Sequence, residues 1–152
     1  MDAVKSELLM EMRLEAGAPV SGGATSQGER RFVVVTGGRF EGPRLKGEVV
    51  HGGSDAIWVE PNGRFKLDVR LMLKTDDGAA IYMQYRGIRN GPPAVLRRLA
   101  AGEAVDPSEY YFRTIVSFET GDPRYEWLND LLAVGIGNRM PSGPVYRVFA
   151  VL

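Results

Sequence analysis

The chain has 152 residues, in which 19 Lys plus Arg balance 19 Asp plus Glu, with one histidine and no cysteine. Zero net charge argues against a general attraction to nucleic acid or an anionic membrane. The lack of cysteine removes disulfides, thiol catalysis and thiolate metal sites. The length suits a single domain, 1–152, large enough to bury a real core. The start, Met1-Asp2-Ala3-Val4-Lys5, lacks the basic-then-apolar layout of a signal peptide. No apolar run approaches the length of a membrane span, so a cytoplasmic setting is expected.

In chain order, Leu8 to Ala16 alternates weakly and reads as a first strand. Gly17 to Gly28, rich in Gly, Ser and Pro, reads as a long loop. Phe32-Val33-Val34-Val35 is a β-branched run that suits a well-buried strand. Gly37 to Pro43 predicts a bend or bulge, after which Arg44 to His51 resumes as a strand. Gly52-Gly53 then turns the chain into Asp55 to Glu60, and Pro61-Asn62-Gly63 turns it again.

Arg64 to Gly87 reads as one long β-hairpin. Phe65, Leu67, Val69, Leu71 and Leu73 alternate with Lys66, Asp68, Arg70, Met72 and Lys74, the period-2 pattern of a two-faced strand. A three-residue loop Asp76-Asp77-Gly78, with Gly78 left-handed, fixes the register. It pairs Lys74 with Ala80, Met72 with Tyr82, Arg70 with Gln84 and Asp68 with Arg86. Leu71 then meets Met83, and Val69 meets Tyr85. One face is apolar; the other carries opposite charges across the strands.

Gly91-Pro92-Pro93 opens the only clear helix, with Val95, Leu96, Leu99 and Ala100 as its apolar stripe, Arg97 and Arg98 outward, and Gly102 as its stop. Glu109 to Glu119 is another strand. A helical turn follows Asp122-Pro123, and two closing strands, Leu131 to Asn138 and Val145 to Leu152, flank the turn Pro141-Ser142-Gly143. About nine closely spaced strands without βαβ alternation predict an all-β fold, a closed antiparallel barrel of about 8–9 strands with one short helix.

Familiar catalytic devices are missing. His51 lies in a predicted turn with no partner imidazole, and no Gly-x-Ser-x-Gly elbow exists. Gly42 to Gly47 mimics the start of a phosphate loop, but Glu48 stands where lysine is needed. Gly135-Ile136-Gly137 lacks a third glycine and a following helix, so it reads as a closely packed strand. Asp76-Asp77-Gly78 starts no twelve-residue calcium loop, and no metal site is expected. Trp58, Trp127 and Tyr125 read as packing residues rather than a ligand cage.

What remains is arginine, aspartate and tyrosine on strands. Asp68, Arg70, Tyr82, Gln84 and Arg86 share the polar hairpin face, and Tyr111 and Arg113 on the following strand can join it. The pattern leaves two readings open. These residues are either the solvated outside of a barrel with an apolar core or the lining of a pocket, where Asp68 pairs with Arg86 and the guanidinium groups hold an anion. The pocket reading puts the hairpin's apolar face outside, where the helix or another subunit must cover it, and so implies a homo-oligomer.

Nearly the whole chain, Leu8 to Leu152, resembles the family called domain of unknown function 3237 (uncharacterised protein family 0311). The resemblance rests on Thr36 to Glu48, Leu67-Asp68-Val69-Arg70, Leu73 to Ala79, Arg89 to Pro93, Asp106 to Thr114, Phe118 to Gly121 and Tyr125 to Asn129. It implies a small antiparallel barrel, similar to allene oxide cyclase-like and calycin-like barrels and usually oligomeric, and no defined activity. Met83-Gln84-Tyr85 departs from the Val-Arg-Asn that many relatives carry, so no ligand contact is carried over to Gln84 or Tyr85.

The leading expectation is a cofactor-independent lyase, isomerase or cyclase acting on a small carbonyl or carboxylate compound in the barrel lumen. Asp68, Tyr82 and Tyr111 are the candidate catalytic residues, and Arg70, Arg86 and Arg113 the substrate-binding ones. A binding protein for a small hydrophobic acid and a purely structural oligomer are the alternatives. The expected partner is a small molecule, with neither nucleic acid nor membrane.

Overall fold

The computed structural model describes residues 2–152. Its elements are β1 (Ser6–Ala16), β2 (Val20–Thr25), β3 (Gly28–Glu41), β4 (Lys46–Val49), β5 (Gly53–Val59), β6 (Phe65–Thr75), β7 (Ala80–Asn90), α1 (Pro93–Ala100), β8 (Tyr111–Glu119), β9 (Leu132–Met140) and β10 (Gly143–Val151). Neighbouring strands run antiparallel from β1 through β10, β9, β8 and β7 to β6. Between β6 and β3 the short strands β4 and β5 share one position, and β3 pairs with β1 to close the sheet. The result is the expected closed barrel, eight strands around, with β2 added on the side of β3. Closure leaves the barrel strands no free edge to pair with other chains.

The hairpin register follows from the turn. Asp68–Arg86, Arg70–Gln84, Met72–Tyr82 and Lys74–Ala80 are paired as predicted, with Leu71 opposite Met83 and Val69 opposite Tyr85. Gly78 has a φ of +96°, a conformation available to glycine at no steric cost. The turn is tied down by its own side chains: Thr75 Oγ1 accepts from the Ala79 amide at 2.8 Å, and Asp76 pairs with Arg39 at 2.9 Å.

Three segments differ from expectation. Part of the stretch read as a loop, Val20–Thr25, is a strand paired to Gly28–Phe32. All six of its side chains are exposed, so the backbone pairs without an apolar alternation that could have announced it. The β-branched run in β3 is also only half inside: Val33 and Val35 are buried, whereas Phe32 and Val34 are 46% and 42% exposed. The bulge predicted over Gly37 to Pro43 lies just before that range, because β3 continues as paired strand to Glu41 and the chain bends only at Pro43 and Arg44. The β1–β3 register shifts between Glu15 and Ala16, with Thr36 the residue left over on β3.

Barrel curvature puts the face with the larger apolar volume inside, because that burial removes the most hydrocarbon from water. Leu67, Val69, Leu71, Leu73, Ile81, Met83 and Tyr85 are all buried. They join Met10, Met12, Phe40, Phe112, Val116, Phe118, Leu128 and Val148 in one core cluster. On β9 the inward positions include Gly135 and Gly137. A Cβ on Gly137 would lie 2.5 Å from the Phe112 ring, which explains the glycine pair as close packing. Helix α1 buries Val95 and Leu99 against one end of the barrel. Trp127 and Tyr125 pack at the other end, and Trp58 lies beneath Arg30, so none of the three forms a cage. Among the described residues no helix is long and apolar enough to cross a membrane.

Candidate functional site

The residues that sequence patterning singled out do lie together, but on the outside. Across β6, β7 and β8 the outer face runs Asp68–Arg86–Ile115, Arg70–Gln84–Ser117 and Met72–Tyr82–Glu119, with Arg113 beside Ile88 and Tyr111 beside Asn90. Arg70, Arg86 and Tyr111 are exposed, and Asp68, Tyr82 and Arg113 half-exposed. None of the six lines the cavity described below. The expectation that Asp68, Tyr82, Tyr111, Arg70, Arg86 and Arg113 surround the lumen is thus corrected. Facing outward costs these charges no desolvation, whereas facing inward would have expelled seven apolar side chains. The same reversal removes the reason first given for a covering subunit.

The lumen holds a different set. A cavity of about 780 Å³ opens at the end of the barrel beside α1 and the turn Pro141-Ser142-Gly143. Its walls mix polar groups with apolar side chains that include Val33, Val35, Ile57, Leu67, Val69 and Phe112. Into this surface project Asp55 from β5, Tyr85 and Arg89 from β7, Tyr146 from β10, Arg31 from β3 and Arg139 from β9. Each sits at an inward position of its strand, on the same parity as neighbouring core residues. Arg89 follows Ile81, Met83, Tyr85 and Gly87 along one face of β7.

Asp55 lies where β5 and β6 pair as Ser54–Arg70 and Asp55–Val69 before continuing at Trp58–Lys66. Its carboxylate accepts the Asp68 backbone N–H at 3.2 Å. Asp68 thus reaches this site through its amide and through the charge of its side chain. Burial, aided by the negative charge of Asp68, pushes the Asp55 carboxyl up to about 7, against the opposing effects of the Asp68 amide and the Arg89 charge. No salt bridge holds it among the described residues.

The two phenols adjoin each other. Tyr85 and Tyr146 rings meet edge to face at 5.2 Å, and Phe112 stacks on Tyr146 in the same manner at 5.4 Å. Burial raises both phenols well above their ordinary range, and the charge of Asp55 adds to the shift in each. The Tyr85 hydroxyl is fully buried and has no hydrogen-bond partner. Neither has Arg89 Nε, although the Arg89 guanidinium lies 4.0 Å over the Phe65 ring. Burial foremost, then the charge of Arg139, lowers Arg89 to about 10, which leaves it cationic at neutral pH. Unsatisfied buried donors are rare in folded proteins and mark places where a ligand completes the structure.

Sequence reasoning missed Asp55, Tyr85, Arg89 and Tyr146. A signal did exist: each is a polar interruption of an apolar inward face, and a buried polar residue is more informative than an exposed one. Among the described residues, no group of three or more His, Asp or Glu side chains could hold a metal ion. His51 is exposed in a turn, away from the cavity.

Comparison with known proteins places this chain in a wider set. A UPF0311 protein of Rhodopseudomonas palustris is 37% identical over 149 residues, covering 98% of this chain and 97% of that protein. A UPF0311 protein of Clostridium acetobutylicum is 36% identical over 124 residues, covering 82% and 78%. The crystal structure of a conserved protein of unknown function from R. palustris has a TM-score of 0.96 at 36% identity, over all of both chains. A beta-barrel like protein from Acinetobacter baumannii has a TM-score of 0.86 at 37% identity, covering 100% and 98%. An enzyme from Penicillium herquei shares the fold, with a TM-score of 0.77 at 21% identity, covering 100% and 97%. The family model described as "Protein of unknown function (DUF3237)" matches residues 4–151, and the chain belongs to that family.

Proposed function

We propose that this protein is a cofactor-independent isomerase, lyase or cyclase that moves a proton within a small carbonyl compound bound in the barrel lumen. One observation carries the reading: a carboxyl group with no ion pair and two buried phenols project into one cavity. A base is most effective when its pKa lies near the working pH, and Asp55 at about 7 meets that condition. Asp55 takes a proton from the carbon beside the carbonyl, and the C–H electron pair moves to the carbonyl oxygen. Tyr85 and Tyr146, kept protonated by burial, donate hydrogen bonds to that developing enolate. The proton on Asp55 returns at another position of the substrate, or to a group leaving from the β-carbon. The apolar side chains of the walls exclude water from the enolate.

Deuterium exchange into a panel of cyclic 1,3-diketones and β-keto esters, followed by NMR, tests this. Exchange should rise as pH increases through about 7, and Asp55→Asn should lower it at least ~100-fold with the circular dichroism spectrum unchanged. Exchange in Asp55→Asn at the wild-type rate overturns the assignment. Substrates bound without any exchange favour the second reading, a non-catalytic receptor for a hydrophobic acid, which the excess of arginine in the cavity supports.

We also propose a homo-oligomer, now on different grounds. The outer face of β8 and β9 exposes Ile115 (68%) and Leu132 (58%) near Val134 and Ile136, an apolar patch of the kind subunits cover. Native mass spectrometry should show a multimer that Ile115→Lys dissociates; a wild-type monomer at micromolar concentration ends this proposal.

A further inference from the structure

Charge in the cavity is lopsided. Among the described residues lining it, Arg31, Arg89, Arg97 and Arg139 are the cations, and Asp55 is the only acid. Of the four, Arg31 has a counter-ion, Glu29 at 3.0 Å, and Arg97 is exposed on α1 at the mouth. Arg89 and Arg139 make no salt bridge among the described residues. Arg139 donates one N–H to the Met140 carbonyl at 3.1 Å, and the Arg89 Nε donor is buried and unpartnered.

These two arginines are neighbours by construction. Arg89 pairs across the sheet with Phe112 of β8, and the Arg139 amide donates to the Tyr110 hydroxyl at 2.8 Å, so β7 and β9 bring them to the same rim from either side of β8. Arg89 feels the charge of Arg139. Two cations near one another, one of them buried, repel and cost free energy unless an anion joins them. The Phe65 ring compensates part of that cost for Arg89, and Arg31 also approaches the same ring at 5.5 Å. No protein carboxylate supplies the rest: the one acid in the cavity is Asp55, and it is tied to the Asp68 amide.

We propose that the open end of the cavity is a carboxylate receptor, in which Arg89 and Arg139 bind the single carboxylate of a flat, otherwise apolar acid whose hydrocarbon body lies against Val33, Ile57, Leu67 and Phe112. The guanidinium fork matches a carboxylate by paired N–H···O bonds, and the missing partner of Arg89 Nε is the acceptor such a bond provides. A cavity of about 780 Å³ accommodates a ligand of one to three rings. One carboxylate is the number the site holds, because a second anion would face Asp55. This inference rests on the cavity being the functional site, and it names the substrate class for the proton-transfer reading: an acid whose carboxylate anchors it while a carbonyl-activated C–H faces Asp55.

Calorimetric binding of 2-naphthoate and of its neutral isostere 2-naphthamide to the full chain tests it. The acid should bind at least tenfold more tightly, and Arg89→Met should abolish that preference, so that acid and amide bind alike. Arg139→Gln should reduce it. Equal binding of the two compounds by the wild-type protein overturns the receptor, whether or not any variant folds, as does a preference that survives in Arg89→Met. The two proposals fail separately: a naphthoate preference without deuterium exchange into diketones leaves a receptor without chemistry, and exchange without the preference leaves chemistry on neutral substrates.

Discussion

At one end of the barrel β6, β7 and the turn between them face inward with Leu71, Leu73, Thr75, Ala79, Ile81 and Met83, all buried. At the other end the same two strands carry Phe65, Leu67, Val69, Tyr85 and Arg89, and the space between them and the opposite wall is open. The closed end satisfies its polar atoms. Thr75 Oγ1 accepts from Ala79, and the Tyr125 hydroxyl donates to Asp77 Oδ2 at 2.7 Å. Asp77 is held below its usual range by its bonds from Thr75 and Tyr125, and Arg124 reaches it at 3.3 Å. The open end leaves Tyr85 Oη and Arg89 Nε without partners and a carboxyl without a cation. Packing density and polar satisfaction stabilise a fold, and a region that gives up both does so at a cost that folding alone does not explain. The closed end is the packed half, and the open end is the half on which the proposed function rests.

Substitutions at the two ends should therefore differ in sign. The largest effect is expected from Phe40→Ala at the closed end, where the side chain is fully buried. Urea unfolding should show a loss of about 3–5 kcal/mol, and a loss below about 1 kcal/mol would mean that this end is not a packed plug. Asp55→Asn at the open end should act in the opposite direction. The Asp55 carboxyl is raised from 3.8 to about 7 on folding, so the folded chain holds a proton that the unfolded chain releases across that interval. Stability is then greatest below pH ~4 and falls as pH rises through about 7. The variant, which cannot ionise there, should be more stable than wild type at pH 8 by on the order of 2–4 kcal/mol, and its stability should lose that pH slope. A wild-type stability flat between pH 4 and 8 would show that Asp55 is not held in this environment.

A matched pair of tyrosines sharpens the contrast. Tyr85→Phe removes a buried hydroxyl that has no partner and should raise the thermal midpoint, by about 1–2 kcal/mol in stability. Tyr125→Phe removes a hydroxyl that is bonded and should lower it by about 1 kcal/mol. If both substitutions stabilise, or both destabilise, the division of the barrel into two halves fails.

Much of the architecture could be read from local chemistry. Asp76-Asp77-Gly78 set the hairpin register because a left-handed glycine and a fixed loop length leave one alignment that keeps the two faces pure. Pro92-Pro93 placed the start of α1 for an equally local reason. The site was not legible in the same way. Period-2 alternation sorts Asp68 and Arg70 from Leu67 and Val69, but it does not say which face curls inward. Taking the charged face as the lumen set aside the larger apolar volume opposite. The informative residues were Tyr85, Arg89 and Tyr146, which break the apolar face they sit on, together with Asp55. Those four residues span 92 positions from Asp55 to Tyr146, and no motif spacing links them.

The sequence by itself determined the two-faced strands, their turns, the hairpin register and the lack of any thiol, because each of these depends on residues a few positions apart or on composition. The tertiary structure alone decided which face is interior, which end of the barrel is filled, and which polar side chains meet. Those outcomes depend on closing eight strands into a ring, where the volume of every inward side chain competes for one lumen, and Asp55, Tyr85, Arg89 and Tyr146 become neighbours only when the last pair, β1 and β3, is made.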